Sequence, residues 1–305
     1  MSLSFLRPAR GGVDLHLHTT ASDGRCTPRQ LVERAAKAGV SVMAVTDHDT
    51  TAAVGEVHAE AVRHGIHAVT GIEITAVEAG SDLHVLGYLF DLQHQGLAAL
   101  LVRQRAARVA RIEAIGSRLA AHGVPIDLGP MLEHTRRESG RSIGRPQVAR
   151  AMVEAGHVAT VQEAFDRWLE RGQPGFVARE GPTPEAVIDI IHQAGGIASI
   201  AHPGQRDLGP RIPALAAAGL DAVEAFHPDH DASLVQEYVE IARDLDLLLT
   251  GGSDFHGDPA HGCEPGSVTL PAAEWDRLQA RRQRRGPPNV RRGPSNVRRG
   301  PSRSA

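Results

Sequence analysis

The side chains that could do chemistry in this sequence are imidazoles and carboxylates, and they occur in short, spaced groups. The chain has 17 histidines among 305 residues. His16 and His18 lie two positions apart and are followed by Asp23. Because imidazole and carboxylate groups at such spacing are common ligands of divalent cations, the sequence indicates a metal-binding function.

Similar groups recur along the chain, each at or near the end of a predicted strand. In α/β barrels and open α/β sheets, active sites assemble at such strand ends. Even nine of these side chains held close together would repel one another or lose solvation without cations between them, and nine ligands exceed the capacity of one ion. The set therefore predicts two or three metal ions that share a carboxylate, with manganese, iron or zinc suited to the mixed ligands. The further groups are Asp47 with His48, Glu73, His84, His202, Glu224 with His227, and Asp254 with His256.

These groups need strands to position them, and the hydrophobic pattern supplies seven. Residues 13–18 alternate apolar and polar side chains, which predicts a strand with His16 and His18 on one face. Helical patterns separate most of the strands, so the sequence predicts a parallel α/β sheet or barrel. The other predicted strands cover residues 40–46, 68–74, 83–90, 197–201, 222–226 and 247–250.

The order of these patterns predicts a barrel that is split by an insertion. Residues 12–96 form the first part of the barrel and residues 181–280 the second. Between them, residues 97–180 lose the strand pattern and are predicted to form a helical insertion domain. Residues 281–305 repeat Arg-Arg-Gly-Pro with a period of seven and carry no apolar face, so they are predicted to be disordered.

Composition narrows the class of protein. The net charge of −3 hides an acidic body, since nine of the 33 basic residues lie beyond position 280, where no acidic residue occurs. The two cysteines, Cys26 and Cys263, are too few for a disulfide framework or a thiolate zinc site. No apolar run reaches membrane-spanning length, and the first residues lack a secretory signal. The sequence therefore predicts a soluble cytoplasmic protein with no membrane partner.

Five motifs give the chain a more specific resemblance. They are His16-x-His18-x4-Asp23-Gly24, Thr46-Asp47-His48-Asp49, Gly71-Ile72-Glu73, Ala201-His202-Pro203 and Gly252-Ser253-Asp254-x-His256. Over residues 12–270, this ordered set resembles the polymerase and histidinol phosphatase (PHP) family of metal-dependent phosphoesterases. The resemblance implies a distorted (β/α)7 barrel of the TIM-like type, with a helical insertion domain and a trinuclear metal site.

The resemblance also implies which residues hold each metal ion. A first ion would be held by His16, His18, Glu73 and Asp254. Glu73 would bridge to a second ion, which His84 and His202 also hold. Asp23, His48 and His256 would hold a third. No ligand position of the family pattern is missing, which indicates an active enzyme.

Within that family, the insertion and the segment Glu224-Ala225-Phe226-His227-Pro228 look like the branch of nucleoside 3',5'-bisphosphate phosphatases and a 5'-3' exoribonuclease of short RNA. The implied substrate is a nucleotide or a short oligonucleotide. Asp47 and His227 are the candidate catalytic residues, and His227 could also bind the scissile phosphate. Arg145, at a predicted helix start, is a candidate for binding a second phosphate. The branch usually has histidine where this chain has Gln147.

Two alternatives remain open at this stage. A metal-dependent amidohydrolase or deaminase also begins with His-x-His on its first strand, but it generally adds a strand-end lysine, whereas the only lysine here is Lys37 in a predicted helix. The second alternative is a non-catalytic, metal-stabilised protein that contacts RNA weakly through its arginine-rich tail.

Overall fold

Seven strands follow one another around a single sheet in chain order. The computed structural model describes residues 11–137, 140–258 and 262–285. The sheet has the order β1 to β7 without a crossover. Most of its residues are buried, because helices cover the outer surface of the sheet and side chains fill its interior. The strands are β1 Gly12–Leu17, β2 Val40–Val45, β3 His67–Glu78, β4 Ser81–Tyr88, β5 Ile197–Ile200, β6 Ala222–Phe226 and β7 Leu248–Gly251.

The sheet closes where the segment after β7 meets β1. Leu17 forms a parallel bridge with Phe255, and the His18 N–H donates to the Phe255 carbonyl at 2.9 Å. The approach is so close that a Cβ at Gly252 would lie 2.4 Å from the backbone nitrogen of His16. Only glycine fits there, and the closure confirms the predicted α/β barrel.

Strand β4 departs from the predicted direction. It is antiparallel to both β3 and β5, while the other neighbouring pairs are parallel. The cause is a two-residue turn at Ala79 and Gly80, whose φ angles of 48° and 72° are those of a tight hairpin. The prediction of a wholly parallel order is therefore wrong for β4. Because β4 is reversed, His84 near its start lies at the same end of the barrel as the carboxyl ends of the parallel strands.

Ten α-helices lie in the described ranges, and side chains in the sequence account for several of their starts. Thr27 caps α1 by accepting from Gln30 N, and Thr183 and Asp231 cap α7 and α9 in the same way. The helices are α1 Pro28–Lys37, α2 Val54–Arg63, α3 Gln95–Ala121, α4 Gly129–Arg137, α5 Arg145–Glu154, α6 Val161–Ala164, α7 Pro184–Gln193, α8 Ile212–Ala217, α9 Ala232–Asp244 and α10 Ala272–Arg285. A π-helical turn, Phe165–Leu169, follows α6 directly.

One long helix joins the barrel to the insertion. The first half of α3 places Leu97 and Leu101 in the barrel core. Its second half places Ile112 and Leu119 in a separate apolar core with side chains of α5 and the π-helical turn. The predicted boundary between residues 96 and 97 falls in the first turn of α3, so both cores share this helix.

The disordered tail was predicted to begin at residue 281, and this start is wrong because α10 continues to Arg285. Residues 281–285 belong to α10, where the Arg282 Nε donates to the Leu89 carbonyl at 2.9 Å and Arg285 pairs with Asp221. These contacts to the barrel were not visible in the repeat pattern. Residues 286–305, which are the rest of the predicted tail, lie outside the described residues. Within the described ranges, no helix combines the length and apolarity needed to cross a membrane.

Candidate metal centre

Glu73 lies at the centre of the predicted ligand set. Its side chain is buried, and each carboxylate oxygen faces a different group of imidazoles. Oε1 lies 2.9 Å from His84 Nδ1 and 3.1 Å from His202 Nε2. This arrangement is what a carboxylate shared by more than one cation requires. Oε2 lies 3.3 Å from His16 Nε2, 3.3 Å from His18 Nε2 and 3.1 Å from His48 Nδ1.

Two further carboxylates complete the cluster. Asp254 Oδ1 lies 3.2 Å from both His16 Nε2 and His18 Nε2, opposite Glu73. Asp23 lies at the outer side, with Oδ1 3.4 Å from His256 Nε2 and Oδ2 3.6 Å from His48 Nε2. The structure thus brings all nine predicted ligands together; we call them the metal cluster: His16, His18, Asp23, His48, Glu73, His84, His202, Asp254 and His256.

Three groups within the metal cluster have ligand atoms close enough to hold a metal ion, because these atoms lie within 4.8 Å of one another. In this grouping His18 and His48 each belong to two sets, whereas the resemblance assigned each to one ion. His202 belongs to none of these sets and is connected to the metal cluster through its contact with Glu73. The sets are His18, Asp23, His48 and His256; His16, His18 and Asp254; and His48, Glu73 and His84.

Unsatisfied polar atoms test whether these residues fit a cation. Both ring nitrogens of His18, the Nδ1 of His48 and the Oδ1 of Asp254 are buried without a hydrogen-bond partner in the described chain. Leaving a buried polar atom unpaired costs about 1–3 kcal/mol. All four are atoms that donate electron pairs to metal ions, and they lie beside one another. The donor set therefore fits divalent cations.

The electrostatics of the cluster also suit a cation. Burial raises the pKa of Glu73, but His48, His84 and His16 outweigh it and hold that pKa well below its usual value. Burial also raises the pKa of Asp254 and of Asp23, but neighbouring histidines outweigh it and leave both values well below the usual range. Burial lowers the pKa of His48 to about 3. The carboxylates are thus charged, as metal ligands are. The same carboxylates outweigh burial and raise the pKa of His16, of His202 and of His256, the last to about 10, so cations that bind these rings would displace protons from them.

Two buried acids outside the predicted ligand set support His16: Glu224, which the sequence analysis listed among the strand-end groups, and Asp14, which it did not mention. Glu224 Oε1 accepts from His16 Nδ1 at 2.8 Å, and its Oε2 accepts from the backbone N–H of His202 at 2.7 Å. Asp14 accepts from the backbone N–H of Ser253 at 3.0 Å and from its hydroxyl at 2.7 Å. Glu224 leaves His16 Nε2 free to face the cluster, as carboxylates beside metal-binding histidines commonly do. The sequence does contain a sign of the role of Asp14, because Asp14 lies two positions before His16 and therefore on the same face of the strand.

Asp47, a predicted catalytic residue, has its carboxylate directed at the loop that carries Asp23. It accepts from the Thr19 N–H at 2.8 Å, from the Thr19 hydroxyl at 2.6 Å and from the Ser22 hydroxyl at 2.6 Å. Asp47 is 2% exposed and belongs to none of the three ligand sets. These contacts fit a residue that positions Asp23.

His227, the other predicted catalytic residue, lies at the edge of the metal cluster. The Asp229 N–H donates to His227 Nδ1 at 3.1 Å, so the ring carries its proton on Nε2. That nitrogen donates to Asp254 Oδ2 at 3.3 Å. His227 therefore presents an N–H at the same carboxylate that faces His16 and His18.

The helical insertion covers the cluster through α5. The predicted phosphate ligand Arg145 begins this helix and lines a cavity of about 110 Å³ together with Asp23, His48 and His84. Gln147, at the position where histidine was expected, accepts from the Gly144 N–H at 2.9 Å and donates to the Ser22 carbonyl at 2.6 Å. It thus caps the helix and ties the insertion to the Asp23 loop.

With this geometry in hand, comparison with known proteins places the chain in a family. Residues 14–129 match the PHP domain. A 5'-3' exoribonuclease of Salmonella typhimurium is 36% identical over 250 residues, which cover 80% of this chain and 84% of that protein. A 3',5'-nucleoside bisphosphate phosphatase of Chromobacterium violaceum is 31% identical over 278 residues, covering 88% of this chain and 97% of that protein.

A solved structure has the same fold. It is an amidohydrolase from Chromobacterium violaceum with bound sulfate, at a TM-score of 0.80 and 30% identity, and it matches 88% of this chain and 96% of its own. The chain belongs to the PHP family of metal-dependent phosphoesterases. It is a hydrolase of phosphate esters built on a barrel whose His, Asp and Glu groups are able to hold metal ions.

Proposed function

We propose that this enzyme removes the 3'-phosphate from nucleoside 3',5'-bisphosphates, trims short RNA from its 5' end, or does both. The observation that carries the proposal is the set of buried, unpaired ligand atoms of His18, His48 and Asp254 next to an arginine-lined cavity. The names of the two relatives support the same substrates, since one is a bisphosphate phosphatase and the other a 5'-3' exoribonuclease.

All nine residues of the metal cluster are the proposed ligands of two or three divalent ions, with manganese as the first candidate and iron and zinc as alternatives. When bound, such ions supply positive charge for phosphate oxygens and lower the pKa of water toward neutrality. Glu224 and Asp14 hold His16 and the end of β7 in place, and Asp47 holds the loop of Asp23. The acidic carboxylates keep their charge because the surrounding imidazoles depress their pKa values.

His227 is the proposed proton donor to the leaving oxygen. Its Nε2 carries a proton, since Nδ1 accepts from the Asp229 N–H. Arg145 of the insertion lines the same cavity and could offer its guanidinium to a phosphate oxygen there. The two unpaired cysteines are in keeping with a cytoplasmic location, which we also propose. RNA contact through residues 286–305 is a separate proposal, supported only by their arginines.

The decisive experiment is a substrate panel on protein reconstituted with manganese, iron or zinc, with the metal content of each sample measured. Release of phosphate from adenosine 3',5'-bisphosphate, or of mononucleotides from a 5'-phosphorylated short RNA, is the expected result. No release from either substrate by metal-loaded protein would reject the proposal. Tight RNA binding without turnover would then favour the non-catalytic alternative.

The amidohydrolase alternative remains the nearest rival for the reaction. The one lysine of the sequence, Lys37, is exposed in the last turn of α1 and does not reach the cluster. Glu73, whose two oxygens face different histidines, would instead supply the shared carboxylate. Hydrolysis of cyclic amides by the same metal-loaded sample, with phosphate esters untouched, would replace our proposal with this rival.

A further inference from the structure

His230 joins the loop of His202 to the segment of His227 through two hydrogen bonds with backbone atoms. The residue is buried, at 7% exposure. Its Nδ1 donates to the Ala225 carbonyl at 3.0 Å, and the Gly204 N–H donates to its Nε2 at 3.1 Å. Because a carbonyl accepts and a backbone N–H donates, these two bonds fix the neutral ring with its proton on Nδ1. The proposed function gives His230 no role.

The surroundings of the ring keep it in this state. Burial lowers the pKa of His230, and this effect outweighs the bond to Ala225, which raises it. The ring also packs against buried Tyr238, with the ring centroids 5.2 Å apart. On its other side, a Cβ at Gly204 would lie 2.7 Å from His230 Cδ2, so the loop reaches the ring only because residue 204 is glycine. His230 is therefore a fixed part of the protein interior.

The loop that His230 contacts holds its metal ligand in a strained conformation. His202 has a φ of 29°, in the left-handed region that few residues other than glycine adopt. Such a backbone persists only where the surrounding structure holds it. Two side chains do so here, because Glu224 accepts from the His202 N–H at 2.7 Å and His230 accepts from the Gly204 N–H. In this conformation His202 Nε2 lies 3.1 Å from Glu73 Oε1.

The same residue holds the segment of the proposed proton donor. The His230 N–H donates to the His227 carbonyl at 3.0 Å, which closes a turn after β6, and the two rings lie 5.2 Å apart. The Nδ1 bond to Ala225 ties this turn back to β6. A displacement of His230 would therefore shift His202 and His227 together.

We propose that His230 is a positioning residue, which sets the metal ligand His202 and the proton donor His227 relative to each other. The inference rests on the proposed function for the roles of these two histidines. Both ring nitrogens of His230 are taken by backbone atoms, so neither is left to bind a metal ion or a substrate. Loss of a contact that supports a metal ligand typically costs about 10- to 100-fold in metal affinity or activity.

Three substitutions separate the two hydrogen bonds of the ring. His230→Gln keeps an acceptor for the Gly204 N–H, whereas His230→Asn keeps only a donor for the Ala225 carbonyl, and His230→Leu keeps neither. The matched control is His94→Leu at the start of α3. It also removes a ring that accepts from a backbone N–H, in this case that of Leu97 at 3.2 Å.

The first measurement is manganese affinity, determined by competition with a chelator. For at least one bound ion, affinity should fall by about 10- to 100-fold in His230→Asn and His230→Leu. It should stay near the wild-type value in His230→Gln and in His94→Leu. Urea unfolding of the same samples reports folding, and the pair of Gln and Asn variants decides the test if the Leu variant does not fold. Equal affinities in the Gln and Asn variants would overturn the inference.

Turnover separates this inference from the proposed function. With saturating manganese and adenosine 3',5'-bisphosphate, His230→Asn should lower kcat more than it raises KM, because His227 acts on the leaving oxygen. If wild-type protein hydrolyses neither this substrate nor short RNA, while metal affinity still follows the Gly204 contact, the proposed function fails and the positioning of His202 stands. If wild-type protein hydrolyses the substrate and His230→Asn matches it in kcat and in metal affinity, the inference fails alone.

Discussion

Three residues of the metal cluster, Asp23, His48 and His84, line one cavity together with a group of guanidiniums of opposite charge. We call that group the arginine face: Arg111, Arg145 and Arg179. On the metal side, Glu73, Asp23 and Asp254 are charged and face buried ligand atoms that lack partners. On the arginine side, Arg179 is buried with a single acid 3.6 Å away. Burying the charges of either face alone would cost free energy, because a buried charge needs a counter-charge. The comparison teaches that buried charges of both signs meet in one cavity, with atoms suited to bind cations close to guanidiniums suited to bind anions.

The largest effect should come from breaking the metal face at its centre. Glu73→Gln removes the charge that five imidazoles approach, so we expect metal content to fall and kcat to drop by about 10³-fold or more. Steady-state kinetics together with metal analysis of the same sample measure both quantities. The control is Glu56→Gln, at an exposed position of α2. Full activity in Glu73→Gln would show that this carboxylate is not part of the working site.

A smaller loss should follow from removing the acid that orients His16. Glu224→Ala leaves the Nδ1 of His16 without its acceptor, and loss of such a supporting contact typically costs about 10- to 100-fold in metal affinity. Competition with a chelator measures this affinity. Because Glu224 lies outside the ligand sets, added metal should restore most of the turnover. Failure of excess metal to restore activity would make Glu224 a direct participant.

The arginine face is expected to respond in stability rather than in metal content. Asp49→Asn removes the charge that holds Arg108 at 2.6 Å and faces Arg179. Breaking a buried ion pair from one side costs about 3–5 kcal/mol, so urea unfolding should report a loss of that order. Asparagine tolerates the positive φ of 53° at this position, so the substitution should not add backbone strain to the measured loss. A parallel loss of metal would show that the two faces are not separable.

The smallest effect concerns the end of the chain. Truncation after Arg285 keeps α10 whole, and we expect mononucleotide turnover and unfolding free energy to stay at their full-length values. Truncation after Gln279 removes the contacts of Arg282 and Arg285 with the barrel and should destabilise it by roughly 2 kcal/mol. Thermal and urea unfolding of the two truncations test the difference. A fall in turnover in the longer form would place the tail at the active site.

The sequence predicted the metal face far better than the arginine face. Ligands such as His16, Glu73 and Asp254 could be found because metal binding restricts residue type, and strand ends restrict position. Arg179 could not be found in this way, since its importance lies in burial without a partner, and the sequence holds 33 basic residues to choose from. Residue type alone does not report solvation.

The fold was likewise predicted only in part from the sequence. Alternating strand and helix patterns predicted the barrel and its insertion, because hydrophobic periodicity is local. The direction of β4 depended on whether Ala79 and Gly80 form a tight turn, and a run of two small residues does not determine that. His84 was nevertheless assigned correctly to the cluster's end of the barrel, though the reversed strand, and not a strand end, brings it there. The role of Asp14 required knowing that β7 closes against β1.

The helix shared by the two cores has a consequence for how far the insertion can move relative to the barrel. Arg108 and Arg111 lie on α3 between the part anchored in the barrel and the part anchored in the insertion. A continuous helix cannot hinge sharply at this point without losing backbone hydrogen bonds, so α3 holds the insertion at a set position over the barrel. A molecule that enters the cavity must therefore fit between the barrel and the insertion as they stand, because the two cores cannot move apart at α3 without breaking this helix.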